Sequence, residues 1–588
     1  MSNEIYIKEY PFNNKIVDNL QFDKYWKQRP VVYILNNAHE AYVWETIDAS
    51  IRAGQHKANP KRDSLNILNL ITTDEFNKSV ILDLESFLIS HMSADRKYVL
   101  QNWNWWLHNH NYYQKEKYQK QFRIIWDKLK ERWLVKENLK ELENSNIFKY
   151  SPYKSLTDEQ INIVIKIKNQ LLNDMSNDIR STFIVNWWAW TWKTILWIYL
   201  MKFLLEIIEN HEEYEEELEN LDENIYDNLH DFLVTNKKIE PLKIWLVIPM
   251  KNLRKTLHDD VFTNISWLKK EYVLSPGQVA ETDENWDILI VDEAHRLRQR
   301  KNLPSASEYV SFDKNNKRLW LYPHGTELDW IMKKSKYQIF LYDNKQSIKP
   351  TDIDRGKFVS LENFWNTHIY NLTSQLRCIW WNRYINYVNK IFSDQPPINK
   401  EIFNLDWWYE LKLFTDVSDM IKKIRELNNS FWLCRNIAWF AREWKTKKEK
   451  QKPKSEIETK KWIEEWKYDI KIWNNKYIRN TIDAWWIPSQ NSINEIWCIH
   501  TSQWFDLNYA WIIIWCDLKY DNIRWLYVDK DEYYDKNWKN TITDYKILYD
   551  YIINIYRTMC TRWMLGTYLY VCDKWLRDYL TKFIDVVE

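Results

Sequence analysis

The chain has 588 residues, a length that predicts three or four domains. Its 83 basic and 82 acidic residues give a net charge of +1, which excludes a strong overall field for nucleic acid, so any such site must be local. No apolar run is long enough to span a membrane, the N-terminus is polar, and the six cysteines form no CxxC pair, so we expect a cytoplasmic protein with reduced thiols.

The first predicted elements form a β-hairpin. Residues 1–27 are a polar lead with little pattern. Residues 31–35 and 41–44 are two strand-like runs, and the turn between them is short. A hairpin at this position would place the aromatic residues Tyr33 and Tyr42 on neighbouring strands.

Two helices follow the hairpin. The first is predicted over residues 46–57, where Arg52 and His56 are four residues apart and therefore share a face. The second is predicted over residues 79–91, which carry an apolar stripe with Glu85 beside it. Taken singly, each of these polar residues is most simply a solvated surface group.

Together, six residues stand in a characteristic order along residues 28–110. They are Tyr33, Tyr42, Arg52, His56, Glu85 and Asn102. In this order they resemble the GIY-YIG nuclease family, with Val31-Val32-Tyr33 and Tyr42-Val43-Trp44 standing for its two triplets. The departures are Val31 and Trp44, each at a position where the family has glycine.

The resemblance implies a metal-dependent cleavage of phosphodiesters. Glu85 would bind one divalent metal ion, which stabilises the phosphoryl charge and the leaving group. Tyr33 or Tyr42, helped by His56, would activate water, and Arg52 would stabilise the transition state. Asn102 would have a structural or substrate-positioning role.

The next segment, residues 111–149, is rich in lysine and glutamate and is predicted to be a helical connector. Thr157 and Gln160 then have the spacing of a capping box at a helix N-terminus. Gln160 is equally well placed to recognise adenine upstream of a phosphate-binding loop. The two interpretations are compatible.

A strand-like run over residues 181–185 leads into a loop and then an apolar helical pattern. The loop residues are Trp187, Trp188, Ala189, Trp190, Thr191, Trp192, Lys193 and Thr194. With glycine in place of each tryptophan, the loop is a P-loop that binds ATP with its backbone N–H groups. Lys193 would contact the β- and γ-phosphates, and Thr194 would bind Mg²⁺.

The whole composition supports that substitution. The chain has 5 glycines and 38 tryptophans, whereas average usage predicts roughly 41 glycines. We therefore expect that many tryptophans represent a UGA codon that the source organism reads as glycine. Trp126, Trp133 and Trp444 stand in contexts where a genuine indole is plausible. The alternative is a protein that is truly rich in tryptophan and has no P-loop.

A second strong pattern follows about 100 residues later. An apolar strand over residues 287–291 ends in Asp292-Glu293-Ala294-His295. Asp292 would hold Mg²⁺ through water, and Glu293 would polarise the attacking water. After the next strand, over residues 337–343, Gln346 is the candidate sensor of the γ-phosphate.

The last third of the chain carries further candidates for the nucleotide site. Arg377 would contact the nucleotide from a second domain, and a helical segment is predicted over residues 435–444. Gln503 and Trp504, with glycine at 504, lie in an H-T-S-Q-G-F-D run. Arg562, in a Thr-Arg pair, is the candidate arginine finger on the γ-phosphate.

Residues 150–588 resemble the helicase-like family once called DUF2075, which is related to the Schlafen group 3 helicase domain. The resemblance implies an α/β fold with two RecA-like P-loop domains of superfamily 1 type, over residues 150–360 and 361–588. A small α+β GIY-YIG domain over residues 28–110 would precede them.

This architecture predicts an ATP-dependent nucleic-acid helicase or translocase fused to an endonuclease, with ATP and Mg²⁺ as cofactors. DNA is favoured over RNA as the partner, with DNA processing or phage defence as the setting. The alternative is an ATP-gated nucleic-acid-binding switch in which the nuclease-like domain is an inactive docking unit.

Overall fold

The computed structural model describes residues 5–13, 16, 20, 29–57, 59, 62–101, 112–145, 148, 158–187, 197, 200–201, 204, 242–261, 269–343, 346–347, 349–372, 379–393, 402–403, 409–439, 441, 443, 445–449, 453, 455–472, 474–479, 490–499, 507–534 and 542–587. They belong to two units. The first unit holds the described residues before position 174 and short stretches within 192–239 and 256–272. The second unit holds the rest, including two parallel sheets.

The first unit is built on a five-stranded sheet with the order β1-β4-β2-β3-β5. Its elements are β1 (Tyr6–Pro11), β2 (Val31–Asn36), β3 (Glu40–Thr46), α1 (Ala49–Lys57), β4 (Ile67–Thr72), α2 (Lys78–Asp95) and β5 (Val99–Leu100). The predicted hairpin is therefore present as antiparallel β2 and β3. Strand β1 lies where we expected only a polar lead. It pairs along all of β4, and its polar side chains are those of an edge strand.

The two faces of this sheet bury different side chains. Val32 and Ile34 pack with the apolar stripe of α2. Tyr33 and Tyr42 face the other side and pack with Ala53 of α1. Because successive side chains of a strand point to opposite faces, burial on both faces makes β2 a continuous apolar run. The tyrosines are thereby fixed on the α1 side.

The described part of residues 111–149 contains two helices, and both are part of the first unit's core. Helix α3 (Lys115–Glu131) and helix α4 (Leu139–Asn144) contribute to the same apolar cluster as α2. Trp126 is completely buried there, and its indole Nε1 donates to the Glu137 carbonyl at 3.1 Å. A further helix, α5 (Asp158–Ser176), follows.

The first parallel sheet has the strand order β11-β6-β10-β9-β7-β8. Its elements are β6 (Ser181–Trp187), β7 (Ile244–Val247), α6 (Lys251–Thr256), β8 (Val273–Leu274), α7 (Pro276–Glu281), β9 (Trp286–Val291), α8 (Ala306–Arg318), α9 (Glu327–Lys334), β10 (Ser335–Tyr342), α10 (Arg355–Glu362) and β11 (Thr367–Leu372). Strand β11 pairs with β6, so this sheet extends past the boundary expected at residue 360.

The second parallel sheet has the strand order β16-β13-β17-β20-β12-β21. Its region contains α11 (Ile379–Ile391), β12 (Glu410–Phe414), α12 (Val417–Phe431), β13 (Cys434–Ala438), α13 (Glu456–Glu464), β14 (Ile470–Ile472), β15 (Asn475–Tyr477), β16 (Ile496–Cys498), β17 (Tyr509–Ile514), β18 (Leu518–Asp521), β19 (Trp525–Val528), α14 (Tyr545–Cys560), β20 (Gly566–Val571), α15 (Lys574–Leu580) and β21 (Asp585–Val587). The pairs β14–β15 and β18–β19 are antiparallel hairpins.

The prediction of a helix over residues 435–444 is wrong, because Cys434–Ala438 is the fully buried strand β13. Two polar residues inside this short strand obscured its pattern. Arg435 donates to Asn428 Oδ1 at 2.8 Å, and Asn436 donates to the Ile493 carbonyl at 2.9 Å. Buried polar groups are tolerated when they are hydrogen-bonded in this way.

Three tryptophans occupy helix ends that normally hold glycine. Trp133, Trp320 and Trp466 follow α3, α8 and α13 with φ of 58°, 56° and 64°. In each case the next residue donates its N–H to the carbonyl five positions back, at 2.9 Å, which defines a Schellman motif. The three side chains are 78%, 91% and 74% exposed. Trp133, where we expected that a genuine indole was plausible, is thus in a conformation that favours glycine.

Five of the six cysteines lie in the described part of the chain, and these five form no disulfide there: Cys434, Cys498, Cys516, Cys560 and Cys572. Burial raises the pKa of the Cys434 thiol to about 12. Among the described helices, none has both the length and the apolar character needed to cross a bilayer.

Candidate functional site

The carboxyl edge of the first parallel sheet gathers the acidic residues of the candidate nucleotide site. Strand β10 pairs with both β6 and β9, so the ends of these three strands are adjacent. Strand β9 leads directly into Asp292 and Glu293, and β10 leads into Asp343. Ligands of open α/β sheets bind at this edge, where the strand order brings loops together.

Asp292 is almost completely buried at the end of β9. Its Oδ1 accepts a hydrogen bond from the Glu293 N–H at 2.8 Å, and its own N–H donates to the Val247 carbonyl at 3.0 Å. These contacts fix the carboxylate at the sheet edge. A buried carboxylate requires such partners or a cation.

Glu293 adopts a left-handed backbone conformation with φ 52° and ψ 46°. This region is uncommon for residues with a side chain and is often found at functional sites. The carboxylate Oε2 lies 3.0 Å from Nε2 of His295, which is itself buried. The turn therefore directs two consecutive acids, Asp292 and Glu293, toward the end of the sheet.

Gln346 connects the two parallel sheets. Its Nε2 donates to Asp343 Oδ2 at 2.6 Å, and its Oε1 accepts from Arg562 Nη1 at 2.8 Å. Arg562 lies between α14 and β20 of the second sheet. The candidate γ-phosphate sensor and the candidate arginine finger, 216 residues apart in sequence, are therefore in direct contact. Asp343, which the sequence interpretation did not single out, completes this chain of contacts.

Several predicted site residues fall outside the described part of the chain. They are Trp188, Ala189, Trp190, Thr191, Trp192, Lys193, Thr194, Arg377, Gln503, Trp504 and, in the N-terminal region, Asn102. Of the loop, only the backbone of Trp187 is described, as the last residue of β6. Gln160 lies in the first turn of α5, 1% exposed; its predicted capping partner Thr157 is also outside the described residues.

The donor set at the sheet edge is compatible with Mg²⁺. Among the described residues, no cluster of three or more His, Cys, Asp or Glu side chains forms a self-sufficient metal site. Mg²⁺ does not need one, because it is commonly held by one or two carboxylates with water and substrate phosphates. Asp292 could supply such a carboxylate at the end of β9, which β10 separates from β6.

The second candidate centre lies in the first unit, on the α1 face of its sheet. The Tyr33 hydroxyl is 2.5 Å from Nε2 of His56. Burial raises the pKa of Tyr33 well above its ordinary value, and the neighbouring Tyr42 adds to this effect. Burial, followed by the charges of Arg52 and Arg62, lowers the pKa of His56 to about 4. The imidazole is therefore neutral near pH 7 and can accept a hydrogen bond from the phenol.

Two arginines flank the tyrosines. The Arg52 guanidinium lies 5.4 Å from the ring centre of Trp44, and that of Arg62 lies 3.7 Å from the ring centre of Tyr42. Burial raises the pKa of Tyr42 to about 12, although both arginines oppose the shift. The sequence interpretation missed Arg62, because its role is visible only from its contact with Tyr42.

Glu85 of α2 is 5% exposed and is the carboxylate that raises the pKa of both tyrosines electrostatically. The structure thus places Tyr33, Tyr42, Arg52 and His56 close together, with Glu85 within electrostatic reach of both tyrosines, and the catalytic roles of all five stay predictions. The resulting centre contains two cations and one buried acid, and its two phenols stay protonated at neutral pH.

Comparison with known proteins assigns the family. Residues 203–573, more than half of the chain, match the family described as Schlafen group 3, DNA/RNA helicase domain. The chain belongs to the Schlafen group 3 helicase family. The match includes Asp292, Glu293, Gln346 and Arg562, together with the strands next to them. The predicted resemblance to the Schlafen group 3 helicase domain is therefore confirmed over residues 203–573.

This Schlafen group 3 helicase chain is also 23% identical over 377 residues to the uncharacterized protein YPL245W of Saccharomyces cerevisiae, covering 60% of the chain and 74% of the yeast protein.

Among solved structures, two Pif1 helicases are similar. One is described as two coordinating Pif1 helicases unwinding forked dsDNA, and the other as Bacteroides sp Pif1 in complex with ADP-AlF4. They are 11% and 13% identical, with TM-scores of 0.19 and 0.21. The match covers 46% and 45% of this chain, and this chain spans only about half of each of them, 56% and 55%.

A DEAD box protein from Methanococcus jannaschii is 11% identical with a TM-score of 0.23, over 74% of this chain and 97% of that one. Scores this low establish no shared fold, so the assignment rests on the family match.

Proposed function

We propose that this chain is an ATP-dependent nucleic-acid helicase or translocase that carries a tethered metal-dependent nuclease. The observation that carries the first part is the contact from Arg562 through Gln346 to Asp343. It links the second parallel sheet to the carboxyl edge of the first, beside Asp292 and Glu293. A γ-phosphate bound at this edge would compete for the Arg562 guanidinium, so the nucleotide state would change the contact between the sheets.

In this proposal the loop 187–194 binds the phosphates of ATP, with Lys193 on the β- and γ-phosphates. Thr194 and Asp292 would hold Mg²⁺, which would neutralise phosphate charge. Glu293 orients the attacking water, and Arg562 stabilises the charge that develops on the transferred phosphoryl group. Arg377, Gln503 and the residue at 504 act from the second domain, and Gln160 recognises the base.

The nuclease is proposed for the centre at Tyr33, and it is supported by the cluster of chemically matched groups there. A divalent metal on Glu85 would supply Lewis-acid chemistry to the phosphodiester. His56, neutral at pH 7, accepts the proton of Tyr33 as the phenol draws one from water. Arg52 stabilises the negative charge on the phosphate. DNA is the preferred substrate in this proposal.

The phosphate-binding role requires glycine in the loop, and we propose that many tryptophans of this sequence stand where the natural protein has glycine. Besides the composition, the Schellman motifs at Trp133, Trp320 and Trp466 support this. A residue with a side chain costs about 1–2 kcal/mol in the left-handed region, whereas glycine enters it freely. Trp126, which is buried and hydrogen-bonded, has the environment of a genuine indole.

The first experiment is peptide sequencing by mass spectrometry of the protein from its natural source. We expect glycine at 187, 188, 190 and 192, and at 133, 320 and 466, with tryptophan at 126. Tryptophan at 187, 188, 190 and 192 would remove the nucleotide site and the helicase proposal with it.

The second experiment measures ATP hydrolysis with and without single-stranded DNA or RNA, using the chain with glycine in the loop. We expect stimulation by nucleic acid, and loss of turnover in Lys193→Ala and Glu293→Gln. Cleavage of a forked duplex should need Mg²⁺ and should be lost in Glu85→Ala, while ATP hydrolysis is kept. Nucleotide-dependent binding without unwinding or cleavage would instead indicate the binding switch.

A further inference from the structure

Arg62 is a cation of the N-terminal centre with no assigned role. It lies in the connection between α1 and β4, outside the six residues that resemble the nuclease family. Its guanidinium stacks on Tyr42, 3.7 Å from the ring centre, and its Nη1 donates to Gln101 Oε1 at 2.5 Å. Both partners are neutral side chains. The charge of Arg62 is therefore held in place without being neutralised by them.

The part of the chain that the structure describes offers Arg62 no ion pair with a carboxylate, and its buried Nε has no hydrogen-bond partner there. This differs from Arg123 of the same unit, which is paired with Glu143 at 2.8 Å on the surface. A half-buried guanidinium that lacks a counter-anion retains hydrogen-bonding capacity for an anionic ligand. Guanidinium groups match phosphate oxygens especially well, since they offer several N–H donors in one plane.

The surroundings of Arg62 indicate which ligand it would meet. Its charge lowers the pKa of both Tyr42 and His56, so it lies within electrostatic reach of the groups proposed to move protons. Arg52 acts on the same two side chains. The two arginines with Glu85 give a local charge of +1 that a metal ion on Glu85 would make more positive. Such a centre is suited to a polyanion such as the nucleic-acid backbone.

We propose that Arg62 is a second phosphate-binding residue of the nuclease centre, contacting the phosphodiester from the Tyr42 side while Arg52 contacts it from the Tyr33 side. The proposal rests on the nuclease function proposed above. It differs from a purely structural role, in which Arg62 would only hold the Tyr42 ring in position. The stack on Tyr42 fixes the direction of the guanidinium, and the Gln101 contact limits its movement.

The test compares Arg62→Lys with Arg62→Met in the full chain. The two side chains have similar length, but only lysine keeps the charge. Mg²⁺-dependent cleavage of bis(p-nitrophenyl) phosphate measures the nuclease centre without the helicase part. We expect Arg62→Met to raise KM and to lower kcat/KM about 10- to 100-fold, the range for loss of a hydrogen bond to a charged group. Arg62→Lys, which keeps the charge but not the planar set of donors, should recover part of that loss, and the control Arg123→Met should have no effect.

Two results would overturn the proposal. Equal losses in Arg62→Lys and Arg62→Met that lower kcat and leave KM unchanged would indicate that Arg62 only holds the Tyr42 ring in position. Unchanged kcat/KM in Arg62→Met would show that Arg62 does not contact the phosphodiester. A failure of the nuclease proposal is distinguishable from both, because the wild-type chain would then show no cleavage that depends on Glu85. Melting temperature and ATP hydrolysis, which we expect to be unchanged in all variants, identify any folding defect.

Discussion

The two candidate centres differ in which part of the chain supplies their chemistry. At the N-terminal centre the working groups are side chains, held by the register of β2 and β3 and by the four-residue spacing of Arg52 and His56. At the proposed nucleotide centre, phosphate binding would depend on the backbone of a loop, and only the surrounding acids and sensors would act through their side chains. A glycine replaced by tryptophan would therefore harm the nucleotide centre far more than the N-terminal centre.

The largest effect is expected from Arg562, because it tests whether the two parallel sheets share one nucleotide site. Arg562→Ala removes the proposed arginine finger, whose contribution to turnover is about 10³- to 10⁵-fold. We expect ATP hydrolysis to fall by at least about 10³-fold, with cleavage of the small phosphodiester unchanged. Arg524→Ala, which removes an arginine exposed on the same sheet region, is the control. A decrease in ATP hydrolysis of less than about 10-fold would show that Arg562 does not act in the chemical step.

A somewhat smaller effect is expected at the other centre. Tyr33→Phe removes the hydroxyl that lies 2.5 Å from His56. Loss of a proton-transfer group typically costs about 10²- to 10⁴-fold in rate, so we expect kcat for phosphodiester cleavage to fall in that range. Tyr118→Phe, which loses a hydroxyl bonded to the Glu75 carbonyl in the same unit, should cleave normally. ATP hydrolysis should be unchanged in both variants. Normal cleavage by Tyr33→Phe would shift the proposed role to Tyr42.

The arrangement of the N-terminal polar residues follows from the sequence because its determinants are local, whereas their catalytic roles stay predictions. Strand alternation puts Tyr33 and Tyr42 on the same face of the sheet. Helix periodicity puts Arg52 and His56 on one face of α1, and that face lies against the tyrosines. Arg62 was missed because nothing in its own sequence context indicates that it stacks on Tyr42. Contact between residues brought together by the fold is the information that periodicity lacks.

In the second unit, too, local patterns were predicted from the sequence, whereas contacts made by the fold were not. The acids after β9 follow an apolar strand and were predicted, whereas β13 was predicted as a helix because Arg435 and Asn436 interrupt its apolar pattern. The hydrogen bonds that allow these two residues to be buried come from Asn428 and from the Ile493 carbonyl. Likewise, the contact between Gln346 and Arg562 joins residues whose roles could be proposed separately but whose meeting required the fold.

A pH-dependent stability difference is expected at His56. Its pKa is lowered to about 4 in the folded protein, from an ordinary value of 6.5. Below pH 6.5 the unfolded chain therefore binds a proton that the folded chain does not, so stability falls as the pH decreases toward 4 and is fully present above 6.5. The loss is up to about 3 kcal/mol. Melting temperatures between pH 4 and 7 should converge for wild type and His56→Gln as the pH falls. A constant difference would contradict the buried, neutral imidazole.

The smallest expected effects distinguish tryptophans that stand for glycine from genuine ones. In the chain made with tryptophan, Trp133→Gly should stabilise the first unit by about 1 kcal/mol, because glycine enters the left-handed conformation without strain. Trp126→Gly, in the preceding helix, should instead destabilise that unit by at least about 3 kcal/mol, since it empties a core position and breaks the bond to Glu137. Differential scanning calorimetry of the two variants measures whether each substitution raises or lowers the stability of the unit. Destabilisation by Trp133→Gly would show that its exposed indole contributes to packing, and would count against glycine at that helix end in the natural protein.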